Sequence, residues 1–212
     1  MARTRNEQLH EQRREQILSA ATRVFKEKGF HSARTEDICQ QAGMSAGAVF
    51  RYFSDKREII DAIIAIECER YISQAQQLFS KDGLYHLASM SAEKLAQELC
   101  PGELDLSLDS WLEVTRSQDQ TRLIEVDQQI RNQLTELLAE GQREGWVRPG
   151  LSPQGAAGLL FSLLSGLWLE MNLGLATETD HAAAALGDFV RTYLFTPEVQ
   201  LAPELERRLG SW

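Results

Sequence analysis

The sequence predicts an all-α protein, and three observations carry that prediction. Apolar residues recur at helical spacing almost throughout, strand-like alternation is absent, and glycine or proline interrupts the pattern at intervals that suit helices. No internal repeat or low-complexity segment stands out. With 212 residues, of which 43% are hydrophobic and 25% charged, the chain is long enough for one or two domains with their own cores.

The first helix is placed over residues 7 to 28, where Ile17, Ala20, Ala21, Val24 and Phe25 form one apolar stripe. Gly29 supplies a left-handed stop, after which Phe30 can fold back on the helix end. Thr35 is placed to cap a second helix, with Glu36 and Asp37 complementing the positive end of its dipole and Ile38 and Ala42 facing inward. It ends at Gly43. Ser45 then caps a third helix, Ala46 to Phe53, and Ser54-Asp55 open a fourth that runs through EIIDAIIAIECERYISQAQQLF.

Beyond Lys81 the periodicity places helices at 84–99, 104–117, 120–144, 153–174 and 179–195. Cys100-Pro101-Gly102, Pro149-Gly150 and Thr196-Pro197 punctuate them, because proline cannot continue a helix and glycine ends one easily. No flexible linker separates the opening helices from the rest, so the fourth helix is expected to serve both parts. The working division is 1–56 and 57–212.

Composition excludes several function classes. Three cysteines, Cys39, Cys68 and Cys100, are odd in number and lack CxxC or CxxH spacing, which argues against a disulfide framework and against zinc. The opening MARTRNEQLHEQRREQ lacks the apolar run of a signal peptide, so a cytoplasmic location is expected. The longest uncharged apolar stretch, Ser152 to Leu169, contains Pro153 and Gln154 and makes a poor membrane span. His10, His31, His86 and His181 are scattered, and there is no HExxH, no G-x-S-x-G and no phosphate-cradling glycine loop. No catalytic residue, metal or cofactor is therefore expected.

The net charge of -9 argues at first against nucleic acid, but its distribution reverses that impression. Residues 1–60 hold 11 Lys+Arg against 8 Asp+Glu, whereas the remainder holds 11 against 23. A basic reader on an acidic, solubilising body has this asymmetry.

The stretch GMSAGAVFRYFSDK, residues 43–56, explains why. A helix, a tight turn through Gly43 and a second short helix make a helix-turn-helix, whose second helix lies in the major groove of DNA. An ordinary helical corner in an α-bundle has the same outline. Glycine costs about 1 kcal/mol relative to alanine inside a helix, so Gly47 in the first turn needs a reason. Ala46, Gly47 and Ala48 keep that turn slim enough to bring the backbone against base edges and phosphates. Val49 and Phe53, four apart, belong with Met44 on the inner face. Arg51 and Tyr52 face outward: Arg51 can read guanine, clamp a phosphate or simply be solvated, and the tyrosine hydroxyl can bond phosphate.

TEDICQQAGMSAGAVFRYFSDKREII resembles the signature of the TetR family of bacterial transcriptional regulators through Thr35, Ala42, Gly43, Ser45, Gly47, Tyr52, Phe53 and Lys56. The preceding ILSAATRVFKEKGF is similar to the family's first helix. The resemblance covers residues 13–62 and implies an all-α fold: an N-terminal three-helix helix-turn-helix DNA-binding domain, then a helical ligand-binding and dimerisation domain. It assigns double-stranded operator DNA as partner, read by Arg34, Thr35, Ser45, Ala46, Gly47, Ala48, Phe50, Arg51, Tyr52 and Lys56, with Lys56 in the place of the family's backbone-clamping lysine. Phe50 stands where the family usually has tyrosine, which removes one hydroxyl and leaves a ring to pack on a thymine methyl or a sugar. Cys39 and Met44 replace a common alanine and valine; core packing is the simple reading of both, and a redox role for Cys39 is the sharper one. Arg3 and Arg5 lie in a polar arm that could reach a minor groove or could be an unstructured tail.

One recognition helix touches few base pairs, so a homodimer on a palindrome is expected. SPQGAAGLLFSLLSGLWLEMNLG is apolar nearly all round, with Gly158, Ser162 and Gly166 as a small-residue stripe. Together with HAAAALGDFVRTYLF it resembles the family's two-helix dimerisation element, and the plain alternative is a helix buried within its own subunit. The resemblance also implies a small hydrophobic or amphipathic ligand in the second domain. Phe79, Met90, Trp111, Phe161 and Trp168 are its candidate wall, beside Tyr85 and Met171, although plain core is the simpler reading of each; Glu113 or His86 is a candidate polar anchor, although a surface position is the simpler reading of each. The function expected is a ligand-released repressor, with a helical adaptor acting through a protein partner as the alternative.

Overall fold

The structure is a computed structural model that describes residues 2–91, 93–95, 108–115, 120–175 and 179–200. Its helices are α1 (Ala2–Ser32), α2 (Thr35–Ala42), α3 (Ala46–Val49), α4 (Lys56–Leu78), α5 (Lys81–Leu87), α6 (Leu108–Thr115), α7 (Gln120–Glu144), α8 (Pro153–Asn172), α9 (Thr179–Phe189) and α10 (Pro197–Gln200), with a π-helical turn at Val190–Leu194. Among the described residues the extended pairing is one antiparallel bridge, Val147 with Phe195. The all-α expectation holds. Residues 96–107, 116 and 117, which the sequence assigns to two helices and to the Cys100-Pro101-Gly102 break, lie outside the described residues.

α1 begins five residues earlier than its apolar stripe suggests. Among the added residues Ala2, Arg3 and Arg5 are strong helix formers, and no breaker occurs before Gly29. The segment assigned to a polar arm is thus helical backbone. At Gly29 φ is 73° and ψ 166°, a conformation that interrupts the helix at the expected stop. Phe30 then folds back, its ring edge-on to Phe25 at 4.9 Å.

α2 starts at Thr35, so Thr35 is its first helical residue and Arg34 holds the capping position, correcting the assignment of the cap to Thr35. The reason is Asp37. Its carboxylate accepts from the Arg34 backbone N–H at 3.0 Å and pairs with Lys28 at 2.8 Å. The Lys28 contact, followed by the Arg34 N–H, holds the Asp37 carboxyl below the ordinary aspartate range. α2 ends at Gly43, with φ 64° and ψ 32° as the turn requires.

α3 is four residues long rather than running to Phe53. Hydrogen-bonded turns carry the chain on, with the Tyr52 and Phe53 N–H groups both donating to Val49 O at 2.9 and 3.2 Å. Arg14 takes the Tyr52 carbonyl, which a continuing helix would have used. Asp55 caps α4 by accepting from the Glu58 N–H at 2.9 Å, and the Glu58 carboxylate accepts in return from Ser54 N–H, which holds its carboxyl low.

The described chain forms two compact units, one from Met1–Tyr71 with Pro101–Leu123, the other from Ile72–Cys100 with Ile124–Trp212. The units part within α4, fifteen residues beyond the division drawn from sequence, because the first half of α4 and α6 close the core of the head. That core contains Ile17, Phe25, Ile38, Val49, Phe53, Ile59 and Ile64, all essentially inaccessible. The second unit is built around Leu84, Leu87, Ile130, Leu134, Leu138, Ala156, Leu160 and Phe195. Its chain ends are tied by Arg148 N–H to Leu194 O at 2.9 Å and Thr196 N–H to Trp146 O at 3.1 Å.

Gly141 lies inside α7, where alanine ordinarily stabilises by about 1 kcal/mol. A Cβ there would stand 2.5 Å from Val147 Cγ2 and 2.6 Å from the Trp146 ring. Gly141→Ala is therefore expected to destabilise the protein by about 1–3 kcal/mol in urea unfolding followed by tryptophan fluorescence; a stabilised variant would show that this turn yields.

Candidate DNA-binding interface and effector region

The recognition segment is held from below and open from above. Val49 and Phe53 are buried at 0% and 1% exposure, as their spacing predicts, and Met44 is half-buried. Ser45 Oγ accepts from the Ala48 N–H at 3.3 Å, which fixes the entry to α3. On the outer side Ala46, Gly47, Phe50 and Arg51 are exposed and Ala48 is half-buried. Gly47 has no left-handed φ, and a methyl group added there would meet no atom of the chain within 4 Å. Among the described residues nothing requires that glycine.

Three polar side chains of α1 and α4 hold this arrangement, and two of them have no local sequence signature. Arg14 Nη1 donates to Tyr52 O at 3.1 Å while its guanidinium lies 4.4 Å from the centre of the Phe53 ring. Gln16 Nε2 donates to Ala42 O at 2.8 Å, where α2 ends. Their partners lie 38 and 26 residues away, so only the i, i+4 placement of Arg14 against the apolar stripe could have pointed to them. Lys56 Nζ donates to Phe30 O and Ala33 O, both at 2.8 Å. Two of its three protons are thus spent on carbonyls that follow the break at Gly29, at and just past the end of α1.

The remaining predicted contacts differ in exposure. Arg34 is exposed at the start of α2, Thr35 is half-buried beside it, and Tyr52 is half-buried with its ring 4.8 Å from that of His10. Cys39 is buried, and burial pushes its thiol above the ordinary range, which favours the unreactive protonated form; Cys68 is raised for the same reason. For Cys39 this fits the packing reading.

The candidate ligand wall is only partly assembled. Phe79 and Phe161 are buried with ring centres 6.4 Å apart, and the Arg131 guanidinium covers Phe161 at 4.1 Å. Met90 is buried and Trp168 and Met171 are half-buried in the same unit; Trp111 is half-buried and belongs to the unit containing the head. Tyr85 is half-buried and packs on the buried Phe195, with ring centres 4.9 Å apart. Glu113, a candidate ligand anchor, instead accepts from the His31 backbone N–H at 3.2 Å at the end of α1. His86 is half-buried on α5. A cavity of about 230 Å³ lies beside the Glu113 contact, lined by Phe30, His31, Lys56, Ile60, Ile64 and Val114 among others. A second, open groove of about 530 Å³ runs along α7 from Ile124 to Glu136. Neither is lined by any of the five candidate wall residues.

A helix-turn-helix head followed by a wholly helical second part defines a class, the one-component transcriptional regulators that carry DNA-binding and effector regions on one chain. Residues 17–63 match the model for bacterial regulatory proteins of the tetR family, and residues 82–194 match that for the C-terminal part of BetI-type transcriptional repressors. The chain belongs to the TetR family, with a C-terminal region of BetI type. It is 28% identical over 193 residues to the HTH-type transcriptional regulator BetI of Escherichia coli K12, spanning 87% of this chain and 95% of that one. It is 26% identical over 157 residues to the fatty acid metabolism regulator protein of Bacillus subtilis, spanning 70% and 78%. A regulator from Saccharomonospora viridis solved in complex with choline superposes with a TM-score of 0.68 at 22% identity, over 88% of this chain and 99% of that one. The chain is a DNA-binding transcription regulator, and the family is not enzymatic.

Lys56 generates the test of this geometry. Lys56→Met keeps the stem but removes two charge-assisted bonds to carbonyls, and should lower the unfolding free energy by about 1.5–3 kcal/mol. Denaturant titration of the far-ultraviolet circular dichroism checks it; an unchanged midpoint would show that the ammonium does not hold α1 to α4.

Proposed function

We propose that this chain is a homodimeric repressor that binds a palindromic operator and leaves it when a small hydrophobic or amphipathic molecule occupies the second unit. One observation carries the DNA reading: Gly47 stands exposed on α3 with no atom of its own chain near the position of a side chain. A glycine that weakens a four-residue helix and relieves no internal crowding makes sense where a foreign surface approaches the backbone. Ala46 and Ala48 flank it in sequence, and Arg34, Thr35, Phe50, Arg51, Tyr52 and Lys56 are the further candidate contacts to phosphate and base. Two heads on successive major grooves would sit about 34–36 Å apart.

Gly47→Leu separates the roles cleanly. The variant should fold at least as stably as the parent, since leucine is the better helix former, yet lose operator binding by a hundredfold or more, on the order of 3 kcal/mol. Arg51→Ala should weaken binding by about tenfold or more while leaving the dimer intact. Fluorescence anisotropy against DNA from upstream of the coding sequence, repeated across salt concentrations, measures both. Parental binding without salt dependence would defeat the regulator reading, because each neutralised phosphate adds about 0.9 to the log–log slope. The adaptor reading rests on exposed Phe50, and it gains from that same outcome.

The dimer reading rests on α8. Ala156, Ala157, Leu160, Phe161 and Leu164 are buried within the chain, whereas Leu159, Leu163 and Leu169 are exposed beside Ser162 and Gly166. A side chain at Gly166 would meet nothing within 4 Å, and at Gly158 only Arg131 Nη1 at 4.0 Å. An apolar face left uncovered by the described residues of its own chain, with small residues along it, fits packing against the same face of a second copy together with the helix at 179–195. Gly166→Leu should leave the melting of the protomer core intact and shift sedimentation from dimer toward monomer. A fully dimeric variant would move the interface elsewhere. The ligand is the least constrained element, and the buried Phe79–Phe161 pair favours an apolar moiety in it.

A further inference from the structure

In the sequence His10 is one of four scattered histidines, about seven helical turns ahead of the helix-turn-helix, and has no local signature. The structure places its ring 4.8 Å from that of Tyr52, inclined at 46°. The contact is not isolated. His10 and Arg14 are four residues apart, on one face of α1, and Arg14 holds the backbone of the same tyrosine through Tyr52 O. Tyr52 is thus gripped at its carbonyl and flanked at its ring by consecutive turns of α1. Its other sequence neighbours, Phe50 and Arg51, lie on the exposed side.

The stretch Glu7–Gln16 is exposed throughout except at half-buried Arg14, so this part of α1 has no core to pack on. Its described ring contacts, His10 with Tyr52 and Arg14 with Phe53, are both with the recognition segment. A duplex whose backbone passes Tyr52 must also pass His10, and imidazole always carries at least one N–H that a phosphate oxygen can accept.

We propose that His10 is a DNA contact: its imidazole N–H donates to the backbone phosphate beside the one that Tyr52 engages, so that α1 as well as the helix-turn-helix grips the operator. This rests on the DNA-binding reading above and adds a residue outside the motif to it. The contact is to phosphate, so it strengthens binding without selecting sequence.

Two variants divide the imidazole's functions. His10→Phe keeps an aromatic ring beside Tyr52 and removes the donor; His10→Gln keeps a donor and removes the ring. Anisotropy is measured with two fluorescent duplexes, one from upstream of the coding sequence and one of random sequence at low salt. Loss of a hydrogen bond to a charged group should weaken His10→Phe by about tenfold on both duplexes, with His10→Gln within about threefold of the parent. Thermal melting of both variants should match the parent. His10→Phe binding like the parent would overturn the proposal, since the ring would then serve packing alone. So would equal weakening of the two variants, or weakening confined to the upstream duplex. A parent chain that binds neither duplex would sink the underlying DNA-binding reading, an outcome the two variants cannot mimic.

Discussion

The structure depends on the grip of α1 on a recognition element too short to stand alone. A four-residue helix is far below the length at which helices persist in water, because its nucleation cost is never recovered by propagation. It exists here because Val49 and Phe53 are buried, because Ser45 and Gly43 set the entry, and because Arg14 and Gln16 bond the carbonyls of Tyr52 and Ala42. The exposed residues Ala46, Gly47, Phe50 and Arg51 are then carried on a backbone fixed from beneath. Rigidity of that kind suits a reader of DNA, which gains little from contacts that must first be ordered.

The same economy shapes the charges of the head. Its excess of basic residues suggests a broad electrostatic footprint, yet several cations are occupied within the fold: Arg14 on Tyr52 and Phe53, Lys28 on Asp37, and Lys56 on carbonyls at and just past the end of α1. Arg34 and Arg51 remain exposed on the candidate surface. Charge that appears in the sequence as affinity for phosphate is thus partly spent on preorganisation.

α6 links two descriptions of the chain. It falls inside the span matched by the BetI-type C-terminal model, but it packs in the same compact unit as the head. Glu113 marks the contact, with its carboxylate on the His31 N–H and 2.8 Å from where a side chain at Gly29 would begin. The left-handed glycine that ends the first helix is therefore also the place where that carboxylate can come close. Conformational freedom and close approach are needed at one residue, and only glycine meets both.

The sequence by itself determined the helical class, the stops at Gly29 and Gly43, the caps at Ser45 and Asp55, the burial of Val49 and Phe53 and the outward placement of Gly47 and Arg51. Each follows from spacing or from dihedral preference within a few residues, so the information is local. Tertiary structure alone decided the rest. Asp37 moved the start of α2 to Thr35, Arg14 took the carbonyl that shortened α3, Lys56 was drawn to the end of α1, Glu113 went to the head rather than to a ligand, and His10 met Tyr52. All but the first join residues 23 to 82 positions apart, and a polar side chain chooses among such partners only once packing has brought them within hydrogen-bond reach.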